Sequence, residues 1–252
     1  MDAKKTLPEM EREHSKSIID AGDKLFYNSY RDIYGFLSDL LREMPDMSLD
    51  EADAKSVICR QIFMRLMQDY RSSHLLIMAG YPYSAGSIVA SMLELAYEIG
   101  WLIDDQDNSR LDKWSSHQDL RSTSENYFNR MQSIITSTYP NDKDERLEIE
   151  RETYKNLSAM KHGNSVILRE AHSFINEENL CLTPIPILTG SSLNTSKYVA
   201  FQASRIALVA GAFFADGFLG VEALSRLAIR FTQLEQDYRE AHRAVNDTTV
   251  QN

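Results

Sequence analysis

The sequence predicts an all-α protein, folded as an antiparallel bundle of six or seven helices. Only 10 Gly and 6 Pro occur in 252 residues, so the elements are long and rarely interrupted. Apolar residues recur at spacings of three and four, which is the periodicity of one helix face and not the alternation of a strand. Because 43% of the residues are hydrophobic, the chain is able to bury a core as one large helical domain.

The first two predicted helices follow from this periodicity and from the signals at their ends. The first covers residues 9–43, with Gly22 and Gly35 as the points where it bends or divides. Pro45 ends it, since proline disfavours helix in the residue before it. Residues 48–51 read Ser-Leu-Asp-Glu, a capping box that predicts a second helix continuing to about residue 79.

The middle of the chain contains four further helix signals, separated by polar or proline-containing breaks. The third predicted helix spans residues 85–103 and the fourth spans 111–138. A charged helix follows over 143–162, and a short one over 165–176. Each break contains the Gly, Pro, Asn or Asp residues that favour turns.

The C-terminal third predicts one irregular segment and one long helix. Pro184, Pro186 and Gly190 argue against a helix over residues 179–195. Polar residues at its end cap a last helix over 196–246. The predicted organisation is a single domain made of an N-terminal helical arm (1–45), a central bundle (48–178), an irregular loop (179–195) and a long C-terminal helix (196–246).

Charge and cysteine content narrow the function classes. The formal net charge is −10, so the chain has no general attraction to nucleic acid or to anionic membranes. Cys59 and Cys181 are the only cysteines, too few for a disulfide framework or a zinc site, and this usage fits a reducing cytoplasm. The polar N-terminus lacks the apolar region of a signal peptide.

The apolar stretch 206–224 is the one membrane candidate in the sequence. Asp216 and Glu222 interrupt it, and a charge near the bilayer centre costs about 2.5–3.5 kcal/mol even on a lenient scale. A central core helix is therefore the preferred interpretation, and no membrane partner is predicted.

The segment Tyr154–His162 carries the strongest site signal. Tyr154, Ser158 and His162 are spaced i, i+4, i+8, so one helix face presents all three. Gly163 and Asn164 follow, and such residues end a helix. His162 is therefore expected at a helix terminus, either as a group that transfers protons or as a cap that interacts with the helix dipole.

The third predicted helix carries a polar stripe on an otherwise apolar surface. Ser87, Ser91, Glu94 and Glu98 share one face of it. A partly buried carboxylate requires a cation, a hydrogen bond or a raised pKa, which makes Glu94 a candidate site residue. The alternative is a structural ion pair between Glu94 and an arginine such as Arg71 or Arg205.

Other motifs give weaker signals. Arg71 with His74, and Arg169 with His172, are each spaced three apart, which suits phosphate binding next to a proton donor, or a solvated surface. The Glu-x-x-His of di-iron bundles occurs once, at Glu11, and no second copy accompanies it. No His/Cys cluster is present either, so the sequence predicts no metal and no cofactor.

Two short motifs resemble those of an uncharacterised bacterial family of all-helical proteins. They are Gly80-Tyr81 followed by the helix to Glu94, and the Tyr-x-x-Leu-Ser-x-x-x-His segment from Tyr154 to His162. Ala90 stands where that family commonly has an arginine. The family is distantly similar to HEPN-type bundles of toxin–antitoxin and abortive-infection systems, many of which are dimers that cut RNA. The resemblance implies a cytoplasmic, homo-oligomeric antiphage defence or toxin protein.

Two functions follow as hypotheses. The first is a metal-independent ribonuclease in which His162 acts as acid or base, assisted by Glu94, Ser158 and Tyr154, with Arg169 and Arg71 binding phosphate. The second is a non-catalytic module that dimerises or docks a partner protein or small ligand through its apolar last helix. An open cleft that joins Glu94, His162 and an arginine favours the first, and burial of both favours the second.

Overall fold

The computed structural model describes residues 6–44, 53–116, 124–162, 175–176, 179–180 and 190–249. This part of the chain is helical except for one antiparallel pair of two-residue strands, which confirms the all-α class. The elements are α1 (Leu7–Asp23), a π-helical segment (Lys24–Ser29), α2 (Tyr30–Glu43), α3 (Ala54–Met78), α4 (Pro82–Ile103), α5 (Ser109–Ser115), α6 (Ser124–Thr138), α7 (Lys143–Lys161), β1 (Ile175–Asn176), β2 (Asn179–Leu180), α8 (Gly190–Phe218) and α9 (Val221–Thr249).

The π-helical segment divides the first predicted helix. Ser29 is its last residue, and the Ser29 hydroxyl lies within hydrogen-bonding distance of the carbonyl of Lys24 (2.7 Å) and of the carboxylate of Asp237 on α9 (2.6 Å). The division falls just after Gly22, whereas Gly35 lies within regular α2.

The prediction of one long C-terminal helix over 196–246 is wrong. The structure has two helices there, because Gly220 adopts φ +86° and ends the run between them. The N–H groups of Leu219 and Gly220 both bond the carbonyl of Ala215, the pattern that closes a helix at a left-handed glycine. α8 also begins earlier than predicted, at Gly190. With these divisions the described residues form nine α-helices rather than six or seven.

Two further predictions fall largely on residues that the structure leaves undescribed. The short helix predicted over 165–176 lies outside the described residues except for its last two, which form β1. The fourth predicted helix appears as α5 and α6, with 117–123 between them not described.

Helix α4 lies at the centre, in contact with α3, α6, α7 and α8. Its apolar side chains are almost fully buried, as its sequence indicates. Two glycines permit close approach of its neighbours. A Cβ on Gly86 would overlap the sulfur of Met160 on α7, and one on Gly100 would lie 3.1 Å from the ring of Phe213 on α8.

Helices α4 and α8 are each long and apolar enough to cross a membrane. More than half of each apolar stretch is buried inside the fold, and core helices of other proteins pass the same test. The predicted apolar last helix was expected to supply a dimer or partner interface through Gly211, Ala215 and Gly220. Ala215 is fully buried in this chain's own core and Gly211 faces Leu37 and Leu227, whereas Gly220 is exposed.

Candidate functional site

An open cleft of about 540 Å³ lies where α3, α4, α6 and α7 meet. Most of its lining side chains are acidic, basic or phenolic. The residues are Arg65, Asp69, Ser91, Glu94, Leu95, Glu98, Tyr127, Arg130, Tyr154, Lys161 and His162. The structure therefore brings Glu94, Tyr154 and His162 together, although they come from two helices about sixty residues apart in the chain.

Glu94 is the hub of the hydrogen bonding in this cleft. Its Oε1 accepts from the Tyr154 hydroxyl at 3.2 Å and from the Lys161 ammonium at 3.3 Å. About a third of its side chain is exposed, as is a third of Lys161. A carboxylate that keeps contact with water in this way remains accessible to a bound molecule.

Tyr154 is held rigidly between aromatic rings. Its ring stacks on Tyr127 with 4.5 Å between centroids and meets Phe128 edge-on at 5.1 Å. Burial raises the pKa of Tyr154, and the negative charge of Glu94 raises it further. The phenol therefore stays protonated at neutral pH and serves as a fixed hydrogen-bond donor to Glu94.

His162 caps the C-terminus of α7, as its position before Gly163 predicts. Its backbone N–H bonds the carbonyl of Ser158 at 2.9 Å, and its side chain is exposed at the edge of the cleft. Lys161 precedes it, so the last turn of α7 places an ammonium and an imidazole on the cleft together.

The other predicted site residues have different positions. Ser158 is half-buried behind the cleft and hydrogen-bonds the hydroxyl of Tyr154. Arg71 does not line the cleft; it is exposed on α3 near Tyr30, whose ring stacks on His74 with 3.7 Å between centroids. Arg169 and His172 lie outside the described residues.

Neither arginine named as a structural partner pairs with Glu94. Arg205 is bonded to Glu150 instead, with its two terminal nitrogens 2.6 and 2.8 Å from the two carboxylate oxygens. Arg71 is likewise elsewhere, and the cation beside Glu94 is Lys161. The expected charge compensation exists, but a different residue provides it.

Sequence reasoning missed four charged residues of the cleft, which are Arg65, Asp69, Arg130 and Lys161. Arg65 contacts Asp69 one turn further along α3 at 3.1 Å. Arg130 lies 3.9 Å from Glu98 and its guanidinium is 4.5 Å from the ring centre of Trp101. Arg130 follows Tyr127 by three positions, so the face of α6 that carries Tyr127 also carries Arg130, which is the signal that sequence offered.

The cleft is a mixed-charge site. Three cations and three carboxylates line it in pairs, which leaves no strong excess of either charge. Within the described ranges, no three His, Cys, Asp or Glu side chains are placed to hold one metal ion. The groups present suit proton transfer together with the binding of a polar molecule. No protein-family model, curated protein or solved structure matches this chain.

Proposed function

We propose that the cleft is the active site of a metal-independent ribonuclease, in a HEPN-like helical protein of bacterial defence or toxin type. The observation that carries the proposal is the convergence of Glu94, His162 and Lys161 in one open cleft, next to two arginines. A carboxylate, an imidazole and cations are the groups that RNA cleavage requires when no metal takes part.

The chemistry assigns a role to each group. Glu94 removes the proton from the ribose 2′-hydroxyl, whose oxygen attacks the adjacent phosphorus. His162, as imidazolium, protonates the departing 5′-oxygen, so that the products are a cyclic 2′,3′-phosphate and a 5′-hydroxyl. Lys161 neutralises charge that develops on the phosphoryl oxygens, and Tyr154 orients Glu94 through its hydrogen bond.

The net charge of −10 works against RNA binding at long range. A homodimer that joins the cations of two clefts would offset this repulsion, and we include it in the proposal, with the cytoplasm as the compartment. The alternative is a non-catalytic module that dimerises or docks a partner protein or small ligand through its apolar last helix, and it is less favoured because Gly211 and Ala215 pack inside the chain.

The test is cleavage of a short synthetic RNA in the presence of a chelator, with the DNA of the same sequence as a substrate that lacks the 2′-hydroxyl. We expect Glu94→Gln and His162→Ala each to lower the rate by about a hundredfold or more. Lys161→Ala is expected to weaken cleavage too, whereas the matched control Lys155→Ala, on an exposed position of the same helix, leaves it unchanged. Cleavage by the His162→Ala variant at the wild-type rate would contradict the mechanism.

The same variants test the biological role. Induced expression in a bacterial host is expected to arrest growth and fragment total RNA with the wild-type protein and not with His162→Ala. If both proteins arrest growth and leave the RNA intact, the toxicity does not come from RNA cleavage in this cleft.

A further inference from the structure

A second cavity, of about 520 Å³, lies between α4, α6, α7, α8 and α9 and shares no lining residue with the cleft. Its size is in the range of pockets that take up a small organic molecule. Its walls are more apolar than those of the cleft.

The walls are mainly aromatic and aliphatic. Phe201, Phe213, Phe231 and Tyr97 contribute rings. Phe201 is stacked on Tyr238 with 4.1 Å between ring centroids, and Phe213 leans on Tyr97 at 5.8 Å. These rings are held by their neighbours, so the cavity is preformed for an apolar body, and flat rings suit it best.

The buried polar groups of the wall are already satisfied. Arg205 and Glu150 form a two-point ion pair, and the Arg205 Nε–H donates to Gln202 at 2.8 Å. Tyr97 also hydrogen-bonds Glu150. Because these charges cancel each other, this part of the wall offers no attraction to a charged group of a ligand.

The exposed edge of the cavity does offer such an attraction. Arg146 is exposed there, with its guanidinium 3.9 Å from the ring centre of Tyr139. Among the residues that the structure describes, no carboxylate lies within 4.0 Å of Arg146, while the nearby Glu235 is bonded to Arg239 at 3.1 Å. A fixed cation therefore borders an apolar cavity.

We propose that this cavity binds a small amphipathic anion, with an aromatic or aliphatic body among the phenylalanine rings and one anionic group on Arg146. Aromatic carboxylates and fatty acids of moderate length have this chemistry. The apolar body supplies most of the affinity, and Arg146 fixes the direction in which the ligand enters. The site is separate from the proposed ribonuclease cleft and does not depend on it.

Two dyes test this proposal, because they share a ring system and differ in charge. 1-Anilinonaphthalene-8-sulfonate carries a sulfonate, and N-phenyl-1-naphthylamine lacks it. We expect both to bind the folded wild-type protein saturably, with one site per chain by fluorescence titration. Arg146→Ala is expected to weaken the sulfonate dye about fivefold, as for a surface ion pair, and to leave the neutral dye unchanged.

Two further variants complete the design. Arg151→Ala, an exposed arginine on the same helix that does not line the cavity, is the control and is expected to bind both dyes as the wild type does. Val209→Trp fills the cavity and is expected to abolish binding of both, with thermal unfolding used to check that it folds; if it does not, the Arg146 comparison decides.

The outcomes divide as follows. No saturable binding by the folded wild-type protein overturns the proposal, as does unchanged binding in a folded Val209→Trp protein. If Arg146→Ala and Arg151→Ala affect the sulfonate dye equally, Arg146 does not receive the anionic group.

Discussion

Glu94 and Glu150 are two carboxylates of neighbouring helices that the fold uses in opposite ways. Glu150 is 8% exposed, and both its oxygens are bonded to Arg205. Glu94 is 33% exposed, and its two partners, Tyr154 and Lys161, share a single oxygen. The first is enclosed with its counter-ion, and the second faces a cleft that a solute can enter.

The difference shows that pairing with a cation does not by itself mark a carboxylate as structural. Geometry and exposure decide, because a two-point ion pair in the interior holds both partners, while a single contact at an open surface is exchanged at little cost. Arg205 joins α8 to α7 through Glu150, whereas Glu94 is paired with Lys161 through a single, partly exposed contact.

The largest expected effect is on folding stability when the interior pair is broken. Glu150→Gln leaves Arg205 charged and buried without its counter-ion, and we expect a loss of about 3–5 kcal/mol in the free energy of unfolding. Glu94→Gln is the matched variant and is expected to change it by less than about 1 kcal/mol. Urea unfolding measures both, and equal losses would contradict the contrast drawn between the two carboxylates.

The second prediction applies the contrast between buried and exposed groups to a histidine. Burial against Tyr30 lowers the pKa of His74 from 6.5 to about 4. As the pH falls below 6.5 the unfolded chain binds a proton that the folded chain does not accept until about pH 4. The contribution of the buried, neutral His74 to the free energy of unfolding is therefore fully present above pH 6.5. It falls by about 3 kcal/mol as the pH drops from 6.5 to 4.

His74→Phe isolates this contribution, because it keeps a ring against Tyr30 and removes the titrating group. We expect the free energy of unfolding of the variant to fall less steeply than that of the wild type between pH 6.5 and 4. Parallel pH profiles for the two proteins would show that His74 is solvated in the folded state.

The smallest expected effect concerns the exposed pair itself. In a double-mutant cycle, Lys161→Met and Glu94→Gln should show a coupling energy of about 0.5 kcal/mol or less, which disappears at high salt. The same cycle for Arg205 and Glu150 should give a coupling of several kcal/mol that salt barely changes. A strong, salt-resistant coupling between Lys161 and Glu94 would assign them a structural role.

The helices were predictable because their signals are local. Periodicity and end signals indicated α4 and α7 and placed His162 at the end of α7. The π-helical segment was not predictable in this way, since it packs against helices from the other end of the chain, with Ser29 in contact with Asp237. The break at Gly220 was missed because the apolar stretch 206–224 was interpreted as one continuous core helix, and a glycine in such a stretch is also compatible with close helix packing.

The candidate site was predictable to the extent that single helix faces reveal it. The stripe that contains Glu94 and the face that contains Tyr154 and His162 each follow from spacing, and the structure brings them into one cleft. Their catalytic role stays a prediction. Spacing did not reveal which cations line the cleft, because this depends on which helices pack together. Arg65 and Arg130 come from α3 and α6, whereas the predicted Arg71 lies near Tyr30 instead.

Gly86 does not line the cleft, but it contacts the end of α7 that carries two of the cleft's groups. Because Gly86 has no side chain, the sulfur of Met160 packs directly against it, and α7 lies close to α4 at this point. Met160 immediately precedes Lys161 and His162, so a side chain at position 86 would press on the last turn of α7, which carries both groups. A larger residue at position 86 is therefore expected to displace Met160 and to change the position of Lys161 and His162 relative to Glu94, although it replaces no group of the cleft itself.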